Sequence, residues 1–374
     1  IVLSRPSHVH DDAPLRVDGS GETIEYAVKM RRFPADALLS RRLEQGKITI
    51  SDVRQLAETV ARFHEHADHC DPGRQDSGPQ DPDQQWGSES VLRAEALENF
   101  TDLRDELGTN IAPDLNEHLT WLAQWTTNRC DQLRPLLQSR PKEGFVRECH
   151  GDLHLDNVIR WNDRWTPFDG IEFNDEFRWI DILSDASFLA MDFAARGHRD
   201  LCETFVSAYL EQTGDYLSLP LFRWYLVYRA MVRAKVAAIR STQPGQSDRS
   251  RSSEVQECVD HVRLARSFAA TRDPKLWITH GVSGSGKTTE SEPVIQMNGA
   301  IRLRSDVERK RLYRLHPWER PVGDVANEIY SPDATTRTYQ RLAKLAESLI
   351  EAGEPVIVDA TFLKAADRNA FRAI

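Results

Sequence analysis

Paired cysteines, long apolar runs and a surplus of positive charge are all missing from this 374-residue chain. Its five cysteines (Cys70, Cys130, Cys149, Cys202, Cys258) are scattered, with no Cys-x-x-Cys pair. That spacing argues against a zinc ribbon or a disulfide framework and favours a reducing cytoplasm. No apolar run approaches the roughly 20 residues that a membrane-spanning helix needs, and no basic-then-apolar signal segment stands at the start. The formal net charge is −10; from Lys275 onward the balance is +2, which leaves −12 for residues 1–274. An acidic first part gives no support to a nucleic-acid partner, and the near-neutral remainder decides little. No internal repeat is visible. What is present is ordinary for a globular protein of two or three domains: 40% apolar and 28% charged residues.

Short β-like runs at Ile1–Leu3 and Thr23–Met30 open the chain. Leu38, Leu39 and Leu43, then Val53, Leu56, Val60 and Phe63, recur at helical spacing. Residues 71–87 are rich in Pro, Gly, Asp, Gln and Ser and predict a loop. Helical patterning returns over 91–107 and 115–137, two short strands flank the corner at Asn162-Asp163-Arg164, and residues 180–239 read as packed helices. Gln243–Ser253 predicts a linker, followed by a helix to Ala270. From Leu276 the texture becomes strand–loop–helix, with strands at 276–280, 300–303 and 355–358 and a helix over 334–352. That alternation predicts a parallel sheet with covering helices.

Two phosphotransfer motifs stand in tandem. The first is His150-Gly151-Asp152-Leu153-His154-Leu155-Asp156-Asn157, followed by Phe168-Asp169-Gly170. His-x-Asp-x-x-x-x-Asn with a later lone Asp is the layout of kinase catalytic loops. Asp152 is the candidate acceptor of a substrate hydroxyl's proton; Asn157 and Asp169 are the candidate magnesium ligands. His150-Gly151-Asp152, in place of His-Arg-Asp, is similar to the aminoglycoside phosphotransferase and choline-kinase branch, which acts on small molecules. Glu25–Met30 looks like that family's strand into the adenine hinge, and Ala57–His64 like its helix ending in an apolar-His pair. Ile180-Asp181 and Asp185 resemble its supporting carboxylates. The resemblance covers residues 1–240. Ala27-Val28-Lys29 imitates a strand whose lysine grips phosphates, but no glycine-rich loop precedes it. The resemblance places Lys29 at the hinge and implies that the phosphate-gripping Lys and its Glu partner lie upstream of Ile1. His64, His66, His69 and Cys70 offer metal-like ligand types, but 64 and 69 are five apart and do not share a helix face; a structural or solvated role is expected.

The second motif is Gly281-Val282-Ser283-Gly284-Ser285-Gly286-Lys287-Thr288, a complete phosphate-binding loop between a strand and a helix. Its glycines let backbone N–H groups turn onto phosphates, Lys287 reaches the terminal oxygens, and Thr288 binds magnesium. Gly281, Ser283, Gly284, Ser285, Gly286, Lys287, Thr288 and Thr289 are the expected ATP contacts. Asp306, in Arg304-Ser305-Asp306-Val307-Glu308-Arg309, stands at a strand's carboxyl end, where open α/β sheets bind ligands. It is the candidate base for a second hydroxyl substrate, with Arg309 as an acceptor contact; a helix N-cap is its structural alternative. Asp359 ends the third strand and is a candidate magnesium–water ligand or substrate contact, with the same alternative. This part resembles the small P-loop kinases that phosphorylate hydroxyls, among them gluconate kinases, polynucleotide 5′-kinases and zeta-type toxins.

The order of the two parts resembles bacterial bifunctional aminoglycoside phosphotransferase/P-loop ATP-binding (AAA-type) fusion proteins. The expectation is therefore a mixed α/β and α+β chain truncated at both ends. Residues 1–240 form a kinase-like domain with an incomplete N-terminal lobe, 241–274 a linker and connecting helix, and 275–374 a P-loop domain. The implied activity is ATP- and Mg2+-dependent phosphorylation of small-molecule hydroxyls at two nucleotide sites. A nucleotide sensor with an inactive first domain, or a polynucleotide end kinase in the second, remain the alternatives. Retention of Asp152, Asn157 and Asp169 together favours the enzyme, because a pure binder needs no proton acceptor.

Overall fold

The computed structural model describes residues 2–5, 16–17, 22–26, 32–69, 86–108 and 111–374. Strands β1 (Val2–Arg5), β2 (Arg16–Val17) and β3 (Glu22–Tyr26) form an antiparallel sheet of order β2-β1-β3. Lys29 and Cys70 lie outside the described residues, so the hinge assignment of Lys29 does too.

Helix α1 (Leu39–Glu44) precedes α2 (Ile50–His66). A capping box starts α2: Asp52 N donates to Thr49 Oγ1 at 3.2 Å, and Thr49 N donates to Asp52 Oδ2 at 3.0 Å. Val53, Leu56 and Val60 are buried as predicted, together with Ala57 and Ala61, but Phe63, expected on the same stripe, is exposed. Helices α3 (Glu89–Leu107) and α4 (Pro113–Ser139) follow. Strand β4 (Val146–Glu148) leads into the His150 loop, and β5 (Val158–Trp161) with β6 (Arg164–Pro167) makes the predicted hairpin. Its corner residues Asn162 and Asp163 take left-handed φ values of 47° and 59°, which these residue types tolerate best after glycine. After α5 (Asp175–Arg178), strand β7 (Trp179–Asp181) pairs antiparallel with β4. Helices α6 (Ile182–Ala195), α7 (Arg199–Thr213), α8 (Leu219–Thr242) and α9 (Asp248–Phe268) complete this part.

The predicted linker is shorter than its composition suggested. Residues 248–253 are already the start of α9, because Ser247 caps it by accepting from Ser250 N at 3.2 Å. Cys258, Val262, Ala265 and Phe268 then bury the helix as a hairpin partner of α8. Only the turn over 243–247 remains outside the helices.

The last part runs β8 (Leu276–Ile278), α10 (Lys287–Glu290), α11 (Glu292–Asn298), β9 (Ile301–Arg304), α12 (Ser305–Leu312), α13 (Gly323–Glu328), α14 (Pro332–Glu351), β10 (Val356–Asp359) and α15 (Ala365–Phe371). Its sheet is parallel, as predicted, in the order β8-β10-β9. A cap starts α14: Ser331 Oγ accepts from Ala334 N at 3.1 Å.

One buried apolar cluster runs through both parts, from Leu39 to Phe371. The outer edge of β9 rests on α7, where Arg302 N donates to Ser207 Oγ at 3.0 Å. An edge strand that would otherwise expose its backbone is thereby covered. Buried ion pairs close the seam: Glu203 of α7 meets Arg272 at 2.7 Å, and Arg223 of α8 meets Glu354 at 3.5 Å. The sequence predicts two sites joined by a non-rigid linker. The packing overturns that expectation, since a shared core couples the two parts mechanically. Among the described residues, no helix is long and apolar enough to cross a membrane.

Candidate active sites

The first site is built on the turn between β4 and β5. Gly151 has φ 81°, and a Cβ there would lie 2.6 Å from the Phe177 carbonyl oxygen. Backbone conformation and space both require glycine, which explains His-Gly-Asp rather than His-Arg-Asp. The turn hangs on Asp185 of α6, a fully buried carboxylate that accepts from His150 N at 3.2 Å and Gly151 N at 2.9 Å. His64 Nε2 donates to the same carboxylate at 3.0 Å, and His64 Nδ1 shares a hydrogen bond of 2.8 Å with the Tyr209 hydroxyl. Burial raises the Asp185 carboxyl, but the His64 hydrogen bond and charge, with His150 and Arg229, hold it below the ordinary range. His64 is thus structural, as predicted, and its role is now definite: it orients the carboxylate that shapes the loop.

Asp152 is half-exposed at the tip of this turn. Asn157 Nδ2 donates to Asp152 Oδ2 at 3.1 Å and to its carbonyl oxygen at 3.0 Å. His154 Nε2 lies 3.4 Å from Asp152 Oδ2. Burial pushes the Asp152 carboxyl up; the hydrogen bond and charge of His154, with the charges of His150 and Arg229, pull it below the usual value. Asp152 is therefore an anion at neutral pH. Asn157 Oδ1 makes no protein hydrogen bond among the described residues. The hairpin returns Asp169 to the same place: Phe168 N donates to Asn157 O at 3.0 Å, and Ile171 N to His150 O at 2.9 Å. Asp169 is exposed, with φ 62° and no partner among the described residues. Aspartate tolerates that left-handed conformation better than most side chains, as at Asp163. Two hard oxygen donors, Asn157 Oδ1 and the Asp169 carboxylate, suit magnesium.

His64, Cys149 and Asp185 place potential ligand atoms within 4.8 Å of one another. Each is already satisfied. Cys149 Sγ donates to Ile180 O at 3.4 Å, and burial pushes its thiol well above the normal range. This cluster is a hydrogen-bonded strut rather than a metal centre. His66 and His69 are exposed.

In the second site, Gly281, Gly284 and Gly286 have φ values of 147°, 79° and 83°. A Cβ on Gly281 would sit 2.8 Å from Ser285 Oγ. The N–H groups of Gly284 and Gly286 donate to no protein acceptor among the described residues, as a phosphate-binding nest requires. Lys287 Nζ donates to Val282 O at 2.6 Å, folding over the loop. Thr288 Oγ1 donates to Asp359 Oδ2 at 2.7 Å, and Thr279 Oγ1 donates to Asp359 Oδ1 at 3.4 Å. Asp359 is buried, and it does not cap a helix. A threonine hydroxyl and a strand-end carboxylate in contact form a hard-oxygen set that fits magnesium.

Asp306 and Arg309 stand differently. Asp306 lies in the first turn of α12, half-exposed and paired with Lys310 at 3.3 Å; it caps nothing and bonds no residue of the loop. Arg309 NH1 donates to Ile329 O at 3.0 Å and Thr335 Oγ1 at 3.1 Å, so its guanidinium is already engaged in holding the start of α14. Sequence reading also passed over Arg302, Arg304 and Glu211, which surround this site. An arginine in the middle of the buried strand Ile301–Arg304 is the signal that could have found them, because a buried cation demands a partner.

Residues 276–374 match the family model described as an AAA domain. Over 348 residues the chain is 28% identical to uncharacterized proteins of Mycobacterium bovis and Mycobacterium tuberculosis, a match covering 92% of this chain and 66% of theirs. The chain thus spans about two thirds of the length of the curated relatives it matches. Among solved structures, it is similar to a Plasmodium vivax ethanolamine kinase at 14% identity and a TM-score of 0.38, covering 63% of this chain and 65% of that one. It is also similar to a glucosamine kinase in complex with glucosamine, ADP and inorganic phosphate, at 15% identity and a TM-score of 0.40, over 61% and 55% of the two chains. The fold is mixed α/β, with the His-Gly-Asp loop in the first part and a glycine-rich phosphate loop feeding a parallel sheet in the last.

Proposed function

We propose that this chain is an ATP- and magnesium-dependent phosphotransferase acting on hydroxyl groups of small molecules, with a nucleotide site in each part. The observation that carries the reading is the 2.7 Å bond between Thr288 Oγ1 and Asp359. It joins the end of the phosphate loop to the end of the neighbouring strand, where a metal-bound triphosphate would rest. The nest of N–H groups and Lys287 would hold the phosphates, Lys287 exchanging the Val282 carbonyl for a phosphate oxygen. Thr288 and Asp359 would hold magnesium directly or through water; that ion would neutralise triphosphate charge and fix its alignment. Asp359 thereby takes the metal role rather than that of a substrate contact. Asp306 would serve as base for the acceptor only after leaving Lys310, and Arg309 would shape the acceptor side by anchoring α14. In the first part, Asp152 would accept the hydroxyl proton and Asn157 and Asp169 would hold magnesium. A reducing cytoplasm belongs to the same reading and is supported by four buried, unpaired thiols: Cys130, Cys149, Cys202 and Cys258.

The test is a metabolite-wide phosphorylation screen of the full-length protein, repeated with Asp152→Asn and Lys287→Ala. Asp152→Asn should keep nucleotide binding and abolish one activity; Lys287→Ala should abolish the other. Nucleotide binding without any phosphorylated product would make the chain a nucleotide sensor and end the enzymatic reading.

A further inference from the structure

Glu211 lies on α7, in the part that carries the His150 loop, yet both of its carboxylate oxygens serve the other part. Oε1 accepts from Arg304 NH1 at 2.9 Å, and Oε2 from Arg302 NH2 at 3.4 Å. Neither arginine is remote from the P-loop. Arg304 ends β9, and its Nε lies 3.9 Å from Asp359 Oδ2, the oxygen that accepts from Thr288. Arg302 NH1 donates to Thr288 O and Ser291 Oγ, each at 3.2 Å, gripping the chain where α10 gives way to α11. Arg54 of α2 pairs with Glu292 at the start of α11. Burial works against the Glu211 charge, but Arg302, Arg304 and Arg54 hold its carboxyl below the ordinary range, so it is ionised.

Arg304 therefore stands between two carboxylates, bonded to Glu211 and merely near Asp359. We propose that Glu211 is a positioning residue of the second phosphotransfer site, contributed by the first part of the chain: it draws Arg304 away from Asp359 and keeps that carboxylate available to magnesium. A guanidinium and a divalent cation compete for the same oxygens. With Glu211 neutralised, Arg304 closes on Asp359 and the metal must displace it. This inference rests on the reading of the P-loop as a magnesium–nucleotide site.

The experiment uses the full chain, a fluorescent ATP analogue and a magnesium titration, taking as signal the binding that Lys287→Ala removes. Glu211→Gln should raise the magnesium concentration for half-maximal binding about tenfold, while metal-free nucleotide binding stays within about twofold of wild type. Glu211→Gln with Arg304→Gln should return the requirement toward wild type, a rescue that a mere packing defect would not show. Arg304→Gln alone should lower the requirement at least about twofold, and this arm reads out even if Glu211→Gln fails to fold. An unchanged requirement in Glu211→Gln, a double variant worse than the single, or a higher requirement in Arg304→Gln would each overturn the proposal. If Lys287→Ala removes no binding at all, the P-loop reading itself fails.

Discussion

Glu203→Gln should be one of the most destabilising conservative changes in this chain. Glu203 is only 3% exposed and accepts from Arg199 Nε at 2.7 Å, Arg223 NH1 at 3.1 Å and Arg272 NH2 at 2.7 Å. Glu354 is the second carboxylate, 3.5 Å from Arg223 and 3.7 Å from Arg272. Two anions thus serve three guanidiniums drawn from α7, α8 and the lead into β8. Burial drives the Glu203 carboxyl up, but Arg223, Arg272 and Arg199 outweigh it and hold the group far below its ordinary value. Glutamine keeps the shape and removes the charge, leaving Arg223 and Arg272 to Glu354 alone and Arg199 without its carboxylate. Removing one partner of a buried pair costs about 3–5 kcal/mol. For a chain of this size melting as one unit, that is a fall of about 4–6 °C in Tm. Urea titration and calorimetry of the variant measure it directly. Because the pair is buried, the difference from wild type should persist between about 0.05 and 0.5 M salt. A loss below about 1 kcal/mol, or one that salt abolishes, is the behaviour of a surface pair and would refute the argument that this network cements the two parts.

Asp185→Asn should cost about 3 kcal/mol and abolish any turnover that depends on Asp152, because the amide cannot accept from His150 N, Gly151 N and His64 together; an unfolding curve matching wild type would contradict it. Gly214→Ala should destabilise by about 1–2 kcal/mol, since Gly214 ends α7 at φ 77° and a Cβ would lie 2.6 Å from Arg311 Nε across the seam; thermal melting decides. Acid should loosen the seam. Glu203 and Glu211 both have folded-state pKa values depressed below their unfolded ones, so their stabilisation is complete above about pH 4.5 and is lost as pH falls below it. The Tm of wild type should therefore drop more steeply from pH 5 to about pH 3 than that of a Glu203→Gln/Glu211→Gln variant.

The local parts of this protein were legible in its sequence because their causes are local. Gly281 to Thr288 must fold as a nest, since its glycines supply the left-handed backbone and a strand and helix flank it. Asn157 meets Asp152 because they stand five positions apart in one tight turn, and the hairpin with its Asn162-Asp163 corner returns Asp169 by simple pairing. Thr49 and Ser331 cap their helices by equally short-range chemistry. Even the error over residues 248–253 was an error of composition: polar, serine-rich segments become helix when a cap and a buried stripe further along reward it. What tertiary structure decided lies across long separations. Glu211 and Arg304 are 93 positions apart, Thr288 and Asp359 71, His64 and Asp185 121. No periodicity encodes which buried arginine meets which carboxylate; that choice waits until α7 is laid along the edge of β9. Only then does the low-dielectric seam make each charge depend on its partner, and the shared core set one candidate site against the frame of the other.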